Sequence, residues 1–257
     1  MLLIDKNAII YGAAGSLGSA IAKGFAKEGV RLFLAGRTLA PLEEIANEII
    51  GNGGMAEIAA VDALDEKAVK EYVDTIIQKH GHVDISFNAI ATEAVQGIPL
   101  YEMATDDFMH PLRAIMQSQF ITASAAAKHM IKQGSGVILF LTATPAGIAY
   151  PLTGGFGVLC NAIEGFSRNL AAELGPAGVR VVCMRSGGSP DSKVFEEAKL
   201  KNPDVMKARL KEMENATMLK RLPLMQEITN VAIFLVSDMA SGMTGTSANI
   251  TCGTTVD

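Results

Sequence analysis

The stretch that decides the fold is Tyr11-Gly12-Ala13-Ala14-Gly15-Ser16-Leu17-Gly18-Ser19-Ala20, which follows directly on the apolar run Asn7-Ala8-Ile9-Ile10. A short apolar run, a cluster of small residues and then a segment of helical period read as strand, tight turn and helix. Small side chains at such a turn let the backbone approach a pyrophosphate. The first amides of the helix then point at it, with the helix dipole behind them. Gly18 would allow helix and strand to pack closely. Glycines also serve tight turns that bind nothing, and it is the strand-turn-helix context that makes this a dinucleotide signal. Gly12, Gly15, Ser16, Leu17 and Gly18 are the candidate contacts.

Outward from this turn, short apolar runs alternate with helical segments. Asn7 to Tyr11, Arg31 to Ala35, Ala56 to Val61, Ile85 to Asn88, Gly136 to Leu141, Arg180 to Met184 and Ser247 to Thr251 read as strands. Their near-continuous apolar content suits strands buried on both faces, as in a parallel sheet. Ser16 to Glu28, Pro41 to Ile50, Asp65 to His80, Leu112 to Gln133, Gly155 to Leu174 and Met225 to Val236 read as helices. Gly29, Gly81 and Gly134 sit where left-handed caps belong. His110-Pro111 reads as a helix start. The alternation predicts an α/β fold: one Rossmann-type, doubly wound domain over residues 1–257, with a seven-stranded, mainly parallel sheet and helices on both faces. Residues 186–224 fall outside the alternation and read as an insertion covering a ligand at the carboxyl ends of the strands, with Gly187 at its start as a further cofactor contact. Met206, Met213, Met218 and Met225 either line an adaptable pocket there or pack in the core.

The second strand ends Leu34-Ala35-Gly36-Arg37-Thr38. An NAD site usually places a carboxylate here for the ribose 2′-hydroxyl; Gly36 occupies that place and Arg37 follows it. A guanidinium forks onto a 2′-phosphate, so NADP(H) is expected in preference to NAD(H). An arginine merely solvated at a strand end is the plainer alternative. A Rossmann-like methyltransferase, which also opens with a glycine turn, would want an acid at this position. Asp62 with Ala63, ending the third strand, is placed to accept from an adenine amino group. Asn88 with Ala89, ending the fourth, is placed to hold the adjacent loop. Both Asp62 and Asn88 also suit ordinary turns.

Taken in order, the glycine turn, Gly36-Arg37, Val61-Asp62, Val83-Asp84-Ile85 leading to Asn88-Ala89, Ala162-Ile163-Glu164-Gly165-Phe166 and Gly175-Pro176-Ala177-Gly178-Val179-Arg180-Val181 resemble the short-chain dehydrogenase/reductase family over essentially the whole chain. The resemblance implies an NADP(H)-dependent oxidoreductase acting on a carbonyl or alcohol. It also implies a homo-oligomer, with a tetramer favoured and a dimer the alternative. Relatives pair the fourth and fifth long helices, which here carry Ala123, Ala125, Ala126 and Ala127 on one and Ala162, Ala171 and Ala172 on the other.

The family's catalytic set is not matched. Its Tyr-x-x-x-Lys pair falls on Phe156 and Cys160, its Ser on Ala143 and its Asn on Ile115. Phenylalanine has no proton to donate to an alkoxide, and a thiol supplies no positive charge at neutral pH. Residues 154–174 contain no Tyr and no Lys. Thr142, Thr144 and Tyr150 are the substitutes in reach, though threonines there also satisfy loop amides and Tyr150-Pro151 is also an ordinary turn. The rival reading is a catalytically degenerate protein that binds a dinucleotide as sensor or assembly partner.

Composition closes off other classes. The chain has 257 residues, 49% of them apolar and 19% charged, with a net charge of −5, so neither a nucleic-acid groove nor an anionic membrane surface is expected. Its three cysteines form no C-x-x-C pair, which excludes a disulfide framework and a zinc cluster and suits reduced thiols in the cytoplasm. No metal site is expected.

Overall fold

The computed structural model describes residues 1–91 and 93–256. Seven strands form one sheet: β1 (Asn7–Tyr11), β2 (Arg31–Gly36), β3 (Met55–Ala60), β4 (Ile85–Asn88), β5 (Gly136–Ala143), β6 (Val179–Ser186) and β7 (Thr246–Ile250). Their spatial order is β3-β2-β1-β4-β5-β6-β7 and every neighbouring pair runs parallel. The order reverses between β1 and β4. A crevice opens at such a point because crossovers leave it in opposite directions.

Eight helices occur among the described residues: α1 (Ser16–Lys27), α2 (Leu39–Gly51), α3 (Glu66–His80), α4 (Thr105–Gln133), α5 (Gly155–Leu174), α6 (Lys193–Lys201), α7 (Pro203–Ala216) and α8 (Met225–Val236); α6 and α7 pack on each other, and neither contributes to the two cores. Strand side chains alternate between two cores. Ile9, Tyr11, Phe33 and Ala35 face α3, α4 and α5, while Ala8, Ile10, Leu32 and Leu34 face α1, α2 and α8. The central strands are buried on both faces. The edge strand β3 is not: its residues alternate between exposed and half-buried, because nothing flanks it on its outer side.

Three readings of the sequence need correction. His110-Pro111 does not open α4, which begins at Thr105 and carries Pro111 inside it. Asp106 and Asp107 in the first turn favour a start there through the helix dipole, and one bond lost at a proline is small in a helix of 29 residues. The segment 186–224, read as an insertion with no helix assigned to it, holds α6 and α7. Pro203 at the head of α7 and the Met206, Leu210, Met213 spacing, which forms its half-buried stripe, are the signals for that helix. The alanines offered as a contact surface between chains, Ala123, Ala125, Ala126, Ala127 and Ala171, lie in the protein's own core. The apolar side chains that α4 and α5 do expose include Phe120, Ile131 and Val158.

Candidate functional site

A cavity of about 400 Å³ lies at the β1–β4 crevice, lined by Gly12, Ala14 and Gly15 of the turn, Gly36 and Arg37 after β2, Asp62 and Ala63 after β3, Ala89 and Ile90 after β4, and Ile115 and Ser118 of α4. Its floor requires glycine. Gly12 has φ +70°, and a Cβ there would stand 2.9 Å from the Ile90 amide nitrogen; a Cβ on Gly18 would overlap the Gly12 carbonyl oxygen. Gly18 therefore packs helix on turn and is buried beneath the cleft. Gly15 caps α1 without a side-chain bond, and the first turn carries no acid. The cleft takes Gly12, Ala14 and Gly15 from the turn and not Ser16, Leu17 or Gly18, whose amides open α1 just behind it; the helix dipole there favours an anion. The glycines let the turn fold this tightly against its own backbone, and the uncapped helix start beside the cleft fits the pyrophosphate of a dinucleotide.

Arg37 is exposed at the mouth of this cleft and has no hydrogen-bond or ion-pair partner among the described residues. Asp62 accepts from the Leu64 amide at 3.0 Å, so it closes an Asx turn while also lining the cleft. Asn88 is buried and holds the floor together. Its Oδ1 accepts from the Ile90 amide at 3.0 Å, its Nδ2 donates to Thr122 Oγ1 at 3.1 Å, and its carbonyl accepts from Gln119 Nε2 at 3.3 Å. Tyr11 lines the cleft by its backbone position, but its ring is in the core, edge-on to Tyr72 with centroids 6.4 Å apart. Burial pushes its phenol well above the ordinary tyrosine range, so it keeps its proton.

A second cavity of about 630 Å³ lies past the carboxyl ends of β5 and β6. Thr144, Tyr150, Gly187 and Gly188 line it from the strand side, and Arg209, Glu212 and Met213 of α7 line it from above, with Leu222 and Thr254 completing it. Gly187 thus belongs here. Gly188 leaves the room that Phe195 and Met213 occupy, because a Cβ would stand 2.8 Å and 2.9 Å from them.

The four positions expected to carry the catalytic set hold Ile115 and Cys160, which are buried, and Ala143 and Phe156, which are half-buried. Phe156 packs against the α4–α5 core, and Ile115 is buried at the edge of the dinucleotide cleft. Cys160 is buried, and burial pushes its thiol up to about 11, which leaves it protonated and without charge at neutral pH. Of the two threonines, Thr144 reaches the second cavity, whereas Thr142 is buried and donates to Glu164 Oε1 at 2.9 Å. Tyr150 is 38% exposed and lines the same cavity as Thr144.

The sequence reading missed a buried ion pair beside this site. Arg185, on β6, donates through Nε and Nη2 to the two carboxylate oxygens of Glu164, on α5, at 2.8 and 2.7 Å. Burial alone would raise the Glu164 carboxyl; the bonds from Arg185 and Thr142, with the guanidinium charge, hold it below the usual carboxylate range instead. The available signal was a charge of opposite sign within each of two largely apolar elements, Glu164 in α5 and Arg185 near the end of β6.

Comparison with known proteins places this geometry. Residues 12–255 match the family model described as enoyl-(acyl carrier protein) reductase. The chain belongs to the short-chain dehydrogenase/reductase family of oxidoreductases. It is 29% identical over 250 residues to short chain aldehyde dehydrogenase 1 of Euphorbia lathyris, covering 95% of this chain and 85% of that protein. Among solved structures, NAD⁺-bound xylitol dehydrogenase superposes with a TM-score of 0.89 at 25% identity, over 98% of this chain and 100% of that one. A gluconate 5-dehydrogenase from Burkholderia cenocepacia J2315, in complex with NADP and tartrate, superposes with a TM-score of 0.87 at 22% identity, over 98% and 96% of the two chains. The first of these structures holds NAD⁺ and the second NADP. Among the described residues no group of His, Cys, Asp and Glu is placed to hold a metal ion, and no helix is long and apolar enough to cross a membrane.

Proposed function

We propose that this short-chain dehydrogenase/reductase uses NADP(H) in preference to NAD(H) to interconvert a small polar carbonyl compound and its alcohol, without the family's tyrosine-lysine pair. The observation that carries the reading is Arg37 at the mouth of the dinucleotide cleft, without a partner and with Gly36 where a carboxylate would select the ribose hydroxyl. When bound, the nicotinamide supplies or accepts a hydride. The chain's own residues do the rest. The glycine turn and the first amides of α1 hold the pyrophosphate, and Arg37 forks onto the 2′-phosphate. Thr144 donates to the substrate carbonyl oxygen, and the Tyr150 phenol, the one tyrosine lining the second cavity, is the proton donor to the oxygen as it becomes an alkoxide. Arg209, Glu212 and Thr254 add polar groups to an otherwise apolar lining, which suits a small substrate bearing hydroxyl or acid groups. The three free cysteines, two of them buried, support a reducing, cytoplasmic setting. Phe120 and Val158, exposed on α4 and α5, support assembly into a homo-oligomer through those helices.

The test is titration with NADPH and NADH by nicotinamide fluorescence, followed by oxidation assays over ketones, aldehydes and sugar acids. Tighter binding of NADPH with turnover of one of these classes supports the reading. Equal affinity for both nucleotides removes the NADP preference, and tight NADPH binding without turnover of any carbonyl leaves a binding protein in place of an enzyme.

A further inference from the structure

We infer that Arg185 is a positioning residue that fixes two segments lining the second cavity, the turn bearing Thr144 and the C-terminal turn of residues 251–256. The inference rests on reading that cavity as the substrate site. Arg185 is 4% exposed. Its fork onto Glu164, at 2.8 and 2.7 Å, satisfies the carboxylate from one side, and Thr142 satisfies it from another at 2.9 Å. Helix α5, strand β5 and strand β6 are thereby tied at one point, and the plane of the guanidinium is set.

That leaves Nη1 facing away from the pair. It lies 3.5 Å from Thr255 Oγ1, and a Cβ on Gly147 would overlap it. The guanidinium edge thus packs under Gly147, and the Gly147 and Ile148 amides close the turn by donating to the Thr144 carbonyl at 3.0 and 3.1 Å. On the other side, Asn249 Nδ2 donates to Thr255 O at 2.8 Å and Oγ1 at 2.9 Å, while Thr251 Oγ1 accepts from the Thr254 and Thr255 amides at 3.2 Å. Thr254, held in this turn, lines the cavity with Thr144.

The geometry demands arginine. A lysine has one nitrogen and cannot fork onto Glu164 while also presenting an edge to Gly147 and Thr255. An apolar residue would leave the buried Glu164 carboxylate with only the distant Arg168, at 3.8 Å, and hydroxyl donors. The dinucleotide cleft draws no lining residue from β6 or the C-terminal turn, so loosening this junction should leave cofactor binding intact.

Amide hydrogen exchange and NADPH titration on the full-length R185K and T255V proteins test the proposal. In R185K the amides of Gly147, Ile148, Thr254 and Thr255 should exchange about tenfold or more faster, while those of β1 and α1 keep their rates. The NADPH Kd should move by less than about twofold, and the fluorescence enhancement of the bound nicotinamide should fall as its surroundings open to water. T255V removes the C-terminal arm together with the Asn249 bond to Thr255 Oγ1 and spares the Gly147 side, so Thr254 and Thr255 should accelerate while Gly147 and Ile148 do not. Wild-type exchange at all four amides in folded R185K overturns the proposal, as does acceleration spread evenly through the sheet, which marks a merely structural role. Should R185K fail to fold, unchanged Thr254 and Thr255 exchange in T255V refutes it. Failure of the wild-type protein to bind NADPH would sink the cofactor reading, while the exchange results still decide the role of Arg185.

Discussion

The two ends of the crevice at the carboxyl edge of the sheet have kept different things. At the β1–α1 turn, Gly12 and Gly18 meet a steric requirement of the turn itself, since a Cβ at either would strike backbone. At α5, Phe156 packs half-buried against the core and Cys160 is buried, so on the proposed reading the positions expected to do the chemistry serve packing instead. Backbone shape tolerates almost no substitution, because the atoms in the way are carbonyls and amides that cannot move. A proton donor is tied only to a position near the reacting oxygen, and a neighbouring loop can bring another one there. Tyr150 and Thr144, on the loop side of the second cavity, are the groups placed to do so.

The largest effect that would break this comparison is expected at Gly12. Gly12→Val places a β-branched side chain at φ +70° against the Ile90 amide and should weaken NADPH binding by about 100-fold or more, with a lowered melting temperature. Near-normal NADPH affinity in that variant would show that the cradle is not the binding site. Arg37→Ala comes next: NADPH binding should weaken by about 1 to 3 kcal/mol with NADH nearly unchanged, read from paired titrations. An equal loss for both nucleotides would assign Arg37 to some part common to both.

The other end is tested by gain. Phe156→Tyr with Cys160→Lys should raise reduction of a simple ketone about tenfold above either single change, since the phenol needs the cation to lower its pKa. The gain is limited because an ammonium at position 160 would stand one helical turn from Glu164, already forked by Arg185. No difference between double and single variants would mean that position 156 does not face the reacting oxygen.

The smallest effect lies outside both ends. Glu227 takes two bonds from Arg221 at 2.7 Å and one from the Leu224 amide, and these lower its carboxyl to about 2. A depressed folded pKa gives stability that is present above the unfolded value, near 4.5, and lost as pH falls toward 2. The side chain is 38% exposed, so the contribution is about 1 kcal/mol or less. Glu227→Gln should therefore flatten the acid limb of the melting-temperature profile between pH 5 and about 2, and leave it unchanged if the pair is fully screened.

Much of this was legible along the chain because it is local. Short, near-continuous apolar runs located all seven strands and segments of period 3.6 located six of the eight helices among the described residues, with β1, β4, α5 and α8 matching to the residue. The glycine turn and Arg37 were legible because a turn and the residue after a strand are fixed by near neighbours. Helices α6 and α7 were not, since neither has a fully buried residue and a weak apolar stripe reads as a polar insertion. The start of α4 was obscured by Pro111, a local stop signal overridden by packing along a long helix.

Sequence alone determined the succession of strands and helices, the glycine turn between β1 and α1 and the family, because each depends on residues adjacent in the chain or on identity at a position. Tertiary structure decided which threonine faces the cavity, why alanines on α4 lie inward, and that Glu164 and Arg185, 21 positions apart, form one buried pair. These depend on which faces of α5, β5 and β6 meet. The side-chain direction of an element is set by its partners across the core, and no local pattern carries that information.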